Sequence, residues 1–153
     1  MPDVLTPEQR SRNMRAIKSG DTTPELTVRR VLHALGCRFR LHRRDLPGSP
    51  DIVMPGRRVA VFVHGCFWHR HRCRYGCVEP TTRPEFWRAK FAANVARDHR
   101  ALRALRREGW RVLVVWECQT RDVEHVRARL KKFLAASDST RPSRFPAKKK
   151  TAL

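Results

Sequence analysis

The stretch Pro50-Asp51-Ile52-Val53-Met54-Pro55-Gly56-Arg57-Arg58-Val59-Ala60-Val61-Phe62-Val63-His64 decides the fold. Two β-branched, apolar runs flank a Pro-Gly-Arg-Arg turn, the signature of a hairpin with strands near 51–54 and 59–64. Working outward, Arg38–His42 alternates polar and apolar residues and predicts a half-buried strand with Phe39 and Leu41 inward. Trp110–Trp116 is a mostly apolar run of the kind covered on both faces.

Helices fill the intervals. Thr6-Pro7-Glu8-Gln9 reads as a capping box opening a basic helix to about Lys18. That helix is too polar to pack on a core and is better suited to lie against DNA. Thr23-Pro24-Glu25 opens a second helix, with Val28, Val31, Leu32 and Leu35 as its buried stripe and Gly36 as its stop. A third runs from near Pro84 to Gly109, and a fourth covers roughly residues 123–134. The order α-α-β-β-β-α-β-α implies an α/β fold, a central mixed sheet flanked by helices. We divide the chain into a DNA-contacting basic helix (1–20), a single domain (21–136) with a His- and Cys-rich loop at 65–80, and a basic, disordered tail (137–153) ending in Lys148-Lys149-Lys150.

Charge narrows the function. Lys and Arg number 34 against 14 Asp and Glu, a formal charge of +20, so a polyanion partner is expected, and nucleic acid is the obvious one. An Arg-favouring genome or an anionic membrane surface would give a similar balance. No apolar run of about 18 residues is present and no secretory signal opens the chain, so a cytoplasmic protein is expected, nucleoid-associated when bound to DNA. In that compartment the five cysteines serve as thiols or metal ligands rather than disulfides.

Two constellations carry chemistry. Cys66, His71 and Cys73 form C-x(4)-H-x-C, and Cys118 ends the last strand; thiolates and imidazole in that number suit a structural zinc. Cys77 competes as a ligand, and Cys37 belongs to the core. The second constellation is Asp51 at the start of one strand and His64-Gly65-Cys66-Phe67-Trp68-His69-Arg70-His71 at the end of the next. Metal-dependent nucleases hold a hard cation with a carboxylate, and restriction-type nucleases add an acidic-x-Lys triplet. Here Phe62-Val63-His64 takes the triplet's place, with histidine for lysine and no acid. The paired aromatics bury in a core or stack on bases, and histidines suit proton transfer near neutral pH.

Asn13-Met14-Arg15-Ala16-Ile17, Thr23-Pro24-Glu25, Pro50-Asp51 and the run His64–His69 together resemble the very-short-patch repair (Vsr) endonucleases. So do Glu85-Phe86-Trp87, Asn94-Val95-Ala96-Arg97-Asp98 and Gly109–Cys118. The resemblance implies a restriction-endonuclease-like fold with a structural zinc. It implies Mg²⁺-dependent nicking 5′ to the thymine of a T·G mismatch, the lesion left by deamination of 5-methylcytosine.

Carried onto matching positions, it implies Asp51 and the backbone carbonyl of Val63 as Mg²⁺ ligands, with His64 and His69 acting on the attacking water and the leaving group. Glu25 and Asp98 would hold metal-bound waters or orient a histidine, and Cys66, His71, Cys73 and Cys118 would hold zinc. Phe67, Trp68 and Trp87 would stack into the duplex, with Met14 entering from the other groove. The family's usual threonine is Val63 here. The implied partners are mismatched double-stranded DNA and other repair proteins, with the enzyme a monomer.

Plainer roles stand beside these. Glu25 also complements a helix dipole, Asp98 sits among Arg97, His99 and Arg100 as a surface ion-pair partner would, Trp87 fits a core with Phe86 and Phe91, and Met14 would anchor its helix. The rival functions are a restriction-type nuclease cutting matched duplex and a zinc DNA-binding module without catalysis.

Overall fold

The computed structural model describes residues 6–9, 12 and 20–138. The decisive hairpin is present. Strands β2 (Ile52–Met54) and β3 (Val59–His64) pair antiparallel, with Val53 opposite Ala60, around a 3₁₀ turn at Pro55–Arg57. Strand β1 (Arg40–Leu41) pairs antiparallel with β2, and β4 (Arg111–Trp116) pairs parallel with β3. The sheet is therefore mixed, in the order β1-β2-β3-β4. The parallel pair requires a crossover, supplied largely by the long helix α3 (Pro84–Arg107).

Strand alternation sends side chains to two cores. On one face Ile52, Met54, Val59, Val61, Leu113 and Val115 meet helix α1 (Thr23–Ala34) and helix α4 (Val123–Asp138) through Val28, Leu32 and Leu130. On the other Val53, Ala60 and Phe62 meet Leu105 and Trp110, with Val112 and Val114 packed beside them. Each fully buried aliphatic of this kind contributes about 1.5–3 kcal/mol of transfer free energy. β4 is thus covered on both sides, as its mostly apolar run predicts. The parity also places Asp51, Phe62 and His64 toward the α3 face.

Several details differ from the sequence-based expectation. The 38–42 strand shrinks to Arg40–Leu41 because His42 takes φ 48°, which ends it. Leu41 is 39% exposed rather than inward, whereas Phe39 does pack on the core. Thr22 rather than Thr23 caps α1, its hydroxyl accepting from the Glu25 N–H at 3.4 Å. The 65–80 loop opens with a one-turn helix, α2 (Cys66–His69), and α4 continues to Asp138.

The capping box at Thr6 and Gln9 closes reciprocally, at 2.9 and 3.2 Å. The body of that first helix, Met14 included, and the tail beyond 138 lie outside the described residues. Among the described residues no helix is long and apolar enough to cross a membrane.

Candidate active site and metal centre

A cleft of about 470 Å³ opens at the C-terminal end of β3, lined by Glu25, Asp51, Val63, His64, His69 and Asp98. Asp51 is set there by local sterics. Gly48, at φ 73°, brings the preceding loop so close to α3 that a Cβ would lie 2.5 Å from Ala101 Cβ. The Val63 N–H, lying beyond the last paired residue of β2, donates to Asp51 Oδ2 at 2.7 Å. Burial, aided by the charge of Glu25, pushes the Asp51 carboxyl up to about 6 despite that hydrogen bond. A carboxyl raised in this way gains from a cation brought to it.

The two histidines of the motif stack, ring centroids 3.9 Å apart and planes 5° from parallel. His69, at the end of α2, donates from Nδ1 to Asp98 Oδ2 on α3 at 2.5 Å. A carboxylate has no proton to give, so the ring supplies it and Nε2 is left as the free nitrogen. His64 is 6% exposed; burial, followed by the charge of His69, presses it down to about 4. It is neutral at pH 7, and the stack has to accommodate one imidazolium at most. The geometry therefore contains an Asp–His dyad, a neutral histidine and a separate half-buried carboxylate around one cleft.

Glu25 is 3% exposed and reaches the same cleft. Sequence reasoning gave no role to the groups that hold it, although Glu25 and Arg29 stand at the i,i+4 spacing of a helical ion pair; they lie 3.2 Å apart. Glu117 was also passed over. The parallel register pairs His64 with Trp116, which brings Glu117 level with Gly65 at the cleft wall. A Cβ on Gly65 would sit 3.5 Å from Glu117 Oε2.

The second cluster lies behind the first. Donor atoms of Cys66, His71, Cys73 and Cys118 all fall within 4.8 Å of one another. Cys66 and Cys118 sulfurs are 3.8 and 3.4 Å from His71 Nδ1. Four bonds of about 2.3 Å from a central ion give tetrahedral edges of about 3.8 Å, so the set fits a tetrahedral metal. His71 also stacks on Trp116 at 4.4 Å. Gly76 is obligatory in the loop, because a Cβ there would fall 1.9 Å from the His71 carbonyl oxygen. Among the described residues Cys77 is exposed and outside this group, and Cys37 is buried in the core.

The aromatics form one half-buried shelf. Phe67 meets Trp68, Trp87 and Phe91 edge-on at 5.1, 5.9 and 5.0 Å. Lys90 Nζ stands 5.3 Å from the Trp68 ring and 5.4 Å from that of Trp87. Only Phe91 of this set belongs to the buried residues, so Trp87 is neither pure core nor free surface.

The chain is similar to known proteins. The family model described as DNA mismatch endonuclease Vsr matches residues 2–75. The chain is 53% identical over 137 residues to the type II nicking enzyme V.XorIIP of Xanthomonas oryzae pv. oryzae, covering 90% of this chain and 100% of that protein. It is 47% identical over 124 residues to the DNA mismatch endonuclease Vsr of Escherichia coli, covering 81% and 79%. Among solved structures, the catalytic domain of the homing endonuclease I-Bth0305I superposes with a TM-score of 0.55 over 76% of this chain and 98% of that one. At 22% identity that likeness concerns the fold alone.

Proposed function

The chain belongs to the Vsr family of DNA mismatch endonucleases, and from that premise we propose that it nicks DNA 5′ to the thymine of a T·G mismatch, with Mg²⁺ as its catalytic metal and Zn²⁺ in the cysteine cluster. One observation carries the reading. Asp51, the His69–Asp98 dyad and neutral His64 share a single cleft in a chain of charge +20. A protein that only bound DNA would gain nothing from carboxylates facing phosphates.

Asp51 and the Val63 carbonyl are the residues that would hold Mg²⁺. In a strand the N–H and C=O of one residue leave on the same side, and the Val63 N–H points at Asp51. Its carbonyl therefore faces that edge too, and a valine serves there as well as a threonine. When bound, Mg²⁺ supplies charge to polarise the scissile phosphate and stabilise its transition state. Glu25 and Asp98 ring the same space.

Asp98 fixes the His69 ring through Nδ1, so Nε2 can take a proton from the attacking water. Neutral His64, stacked on it, hydrogen-bonds in the site without adding a second positive charge. Phe67, Trp68 and Trp87 form the shelf that stacks beside the mispaired bases, with Lys90 supplying charge for the adjoining phosphate. Met14 would complete the wedge from the opposite groove. Zinc held by Cys66, His71, Cys73 and Cys118 would pin the segment carrying His69 to the end of β4.

Replacing Asp51 by Ala tests this assignment. Nicking of a T·G duplex should vanish while mismatch binding and zinc content persist. Retained cleavage would remove Asp51 from the chemistry.

A further inference from the structure

Glu25 is a carboxylate almost fully withdrawn from water, in the same cleft as Asp51. A buried carboxylate keeps its charge only where donors replace its lost solvent. Those donors converge on one oxygen. The Asp21 N–H donates to Oε2 at 3.0 Å and Arg29 Nη2 donates to it at 3.2 Å, while His42 Nε2, 3.7 Å away, is too far to hydrogen-bond to it. Among the described residues Oε1 has no hydrogen-bond partner, which leaves it to the cleft.

Arg29 is the centre of this clamp. Its side chain is 14% exposed, and its Nη2 alone reaches Glu25, Asp21 Oδ1 at 2.6 Å and His42 Nε2 at 3.1 Å. Asp21 holds φ 55°, a conformation that costs a non-glycine residue energy unless its neighbours fix it. Gly20 packs just as tightly, since a Cβ there would lie 3.0 Å from His42 Cε1. None of Arg29, Asp21 and His42 lines the cleft wall beside Asp51. Arg29 and Asp21 reach Glu25 from outside the cleft, while the His42 N–H also donates to the Asp51 carbonyl at 3.1 Å.

We propose that Arg29 is a positioning residue for the nicking reaction: with Asp21 and His42 it holds Glu25 turned so that Oε1 faces the divalent cation beside Asp51. This rests on the proposed function, which places a cation in that cleft. Without the guanidinium, two carboxylates share a low-dielectric space uncompensated. Glu25 then rotates away, which removes an anionic oxygen from the cation's outer sphere. A purely structural ion pair would alter stability and leave cation affinity untouched.

The test is a double-mutant cycle. Arg29→Gln and Arg29→Lys are made in the Glu25 and Glu25→Gln backgrounds. Two quantities are read on zinc-loaded protein: Mn²⁺ binding without DNA, by electron paramagnetic resonance titration, and the Mg²⁺ dependence of single-turnover nicking. Arg29→Gln should raise the Mn²⁺ midpoint and slow nicking at limiting Mg²⁺ by about tenfold, with most of both regained in Arg29→Lys. In the Glu25→Gln background both effects should shrink below about twofold.

Equal effects in the two backgrounds, or a drop in stability with an unmoved Mn²⁺ midpoint, would overturn the proposal. If Arg29→Gln does not fold, Asp21→Asn, at an exposed side chain, carries the same cycle with a shift in the same direction. Asp51→Ala is the separate control on the underlying reading. Should it bind Mn²⁺ with an unchanged midpoint, no cation sits in this cleft and the reading fails, whatever Arg29 does.

Discussion

Asp51→Asn should abolish nicking and yet make the metal-free cleft more stable. Burial and the charge of Glu25 raise the Asp51 carboxyl from 3.8 to about 6. At about 1.4 kcal/mol per pH unit, that rise means the folded state bears about 3 kcal/mol to keep the group ionised at pH 7.5. Asparagine keeps the acceptor for the Val63 N–H, which lies at 2.7 Å, and nearly the same volume. It therefore removes the charge without opening a cavity.

The pH dependence follows from the direction of the shift. Well below pH 3.8 the carboxyl is protonated in both states and costs nothing. As pH rises to about 6 the unfolded chain releases its proton first, so wild-type stability falls, and above about 6 the loss is complete. Urea unfolding of zinc-loaded protein in Mg²⁺-free buffer reads the difference. Asp51→Asn should exceed wild type by about 3 kcal/mol at pH 7.5 and by about half that at pH 5. Any pH effect on the zinc ligands is common to both proteins and cancels. Adding Mg²⁺ should stabilise wild type alone. A variant no more stable than wild type at pH 7.5, or a gap independent of pH, would refute the reasoning.

Asp98→Ala releases His69 Nδ1 from its 2.5 Å partner, and single-turnover nicking should fall about 10- to 100-fold with zinc content unchanged. Cys118→Ser should lose the zinc and lower the unfolding midpoint, whereas Cys77→Ser, outside the cluster, should keep both; metal analysis and urea melts separate them. Trp68→Ala should weaken binding of a mismatched duplex by about 1–3 kcal/mol, as measured by fluorescence anisotropy, without disturbing the fold.

The features readable from sequence were those whose cause is local. Strand β3 announces itself by six consecutive residues suited to a sheet, and α3 by its Pro84 start and the Gly109 stop at φ 85°. Helix α2 was not legible, since one turn has no periodicity to read. Its logic is spatial: Cys66 and His69, three residues apart, join the Cys/His cluster and reach Asp98 respectively.

Strand β1 was overestimated because alternation cannot report the left-handed backbone at His42. The choice between Cys73 and Cys77 needed the loop's three-dimensional path. Pairings across long separations, His69 with Asp98 or Arg29 with His42, leave no local signal. For the first, the family resemblance implied only that Asp98 holds a metal-bound water or orients a histidine, without saying which; the second was missed.

The central claim is mismatch-directed nicking, and the most direct measurement is a strand-resolved cleavage assay. A labelled duplex with one T·G mismatch is compared with its matched T·A counterpart, with and without Mg²⁺. The account predicts a Mg²⁺-dependent nick on the thymine strand of the mismatched duplex, 5′ to the thymine, and an intact matched duplex. Cleavage of both duplexes alike would contradict it.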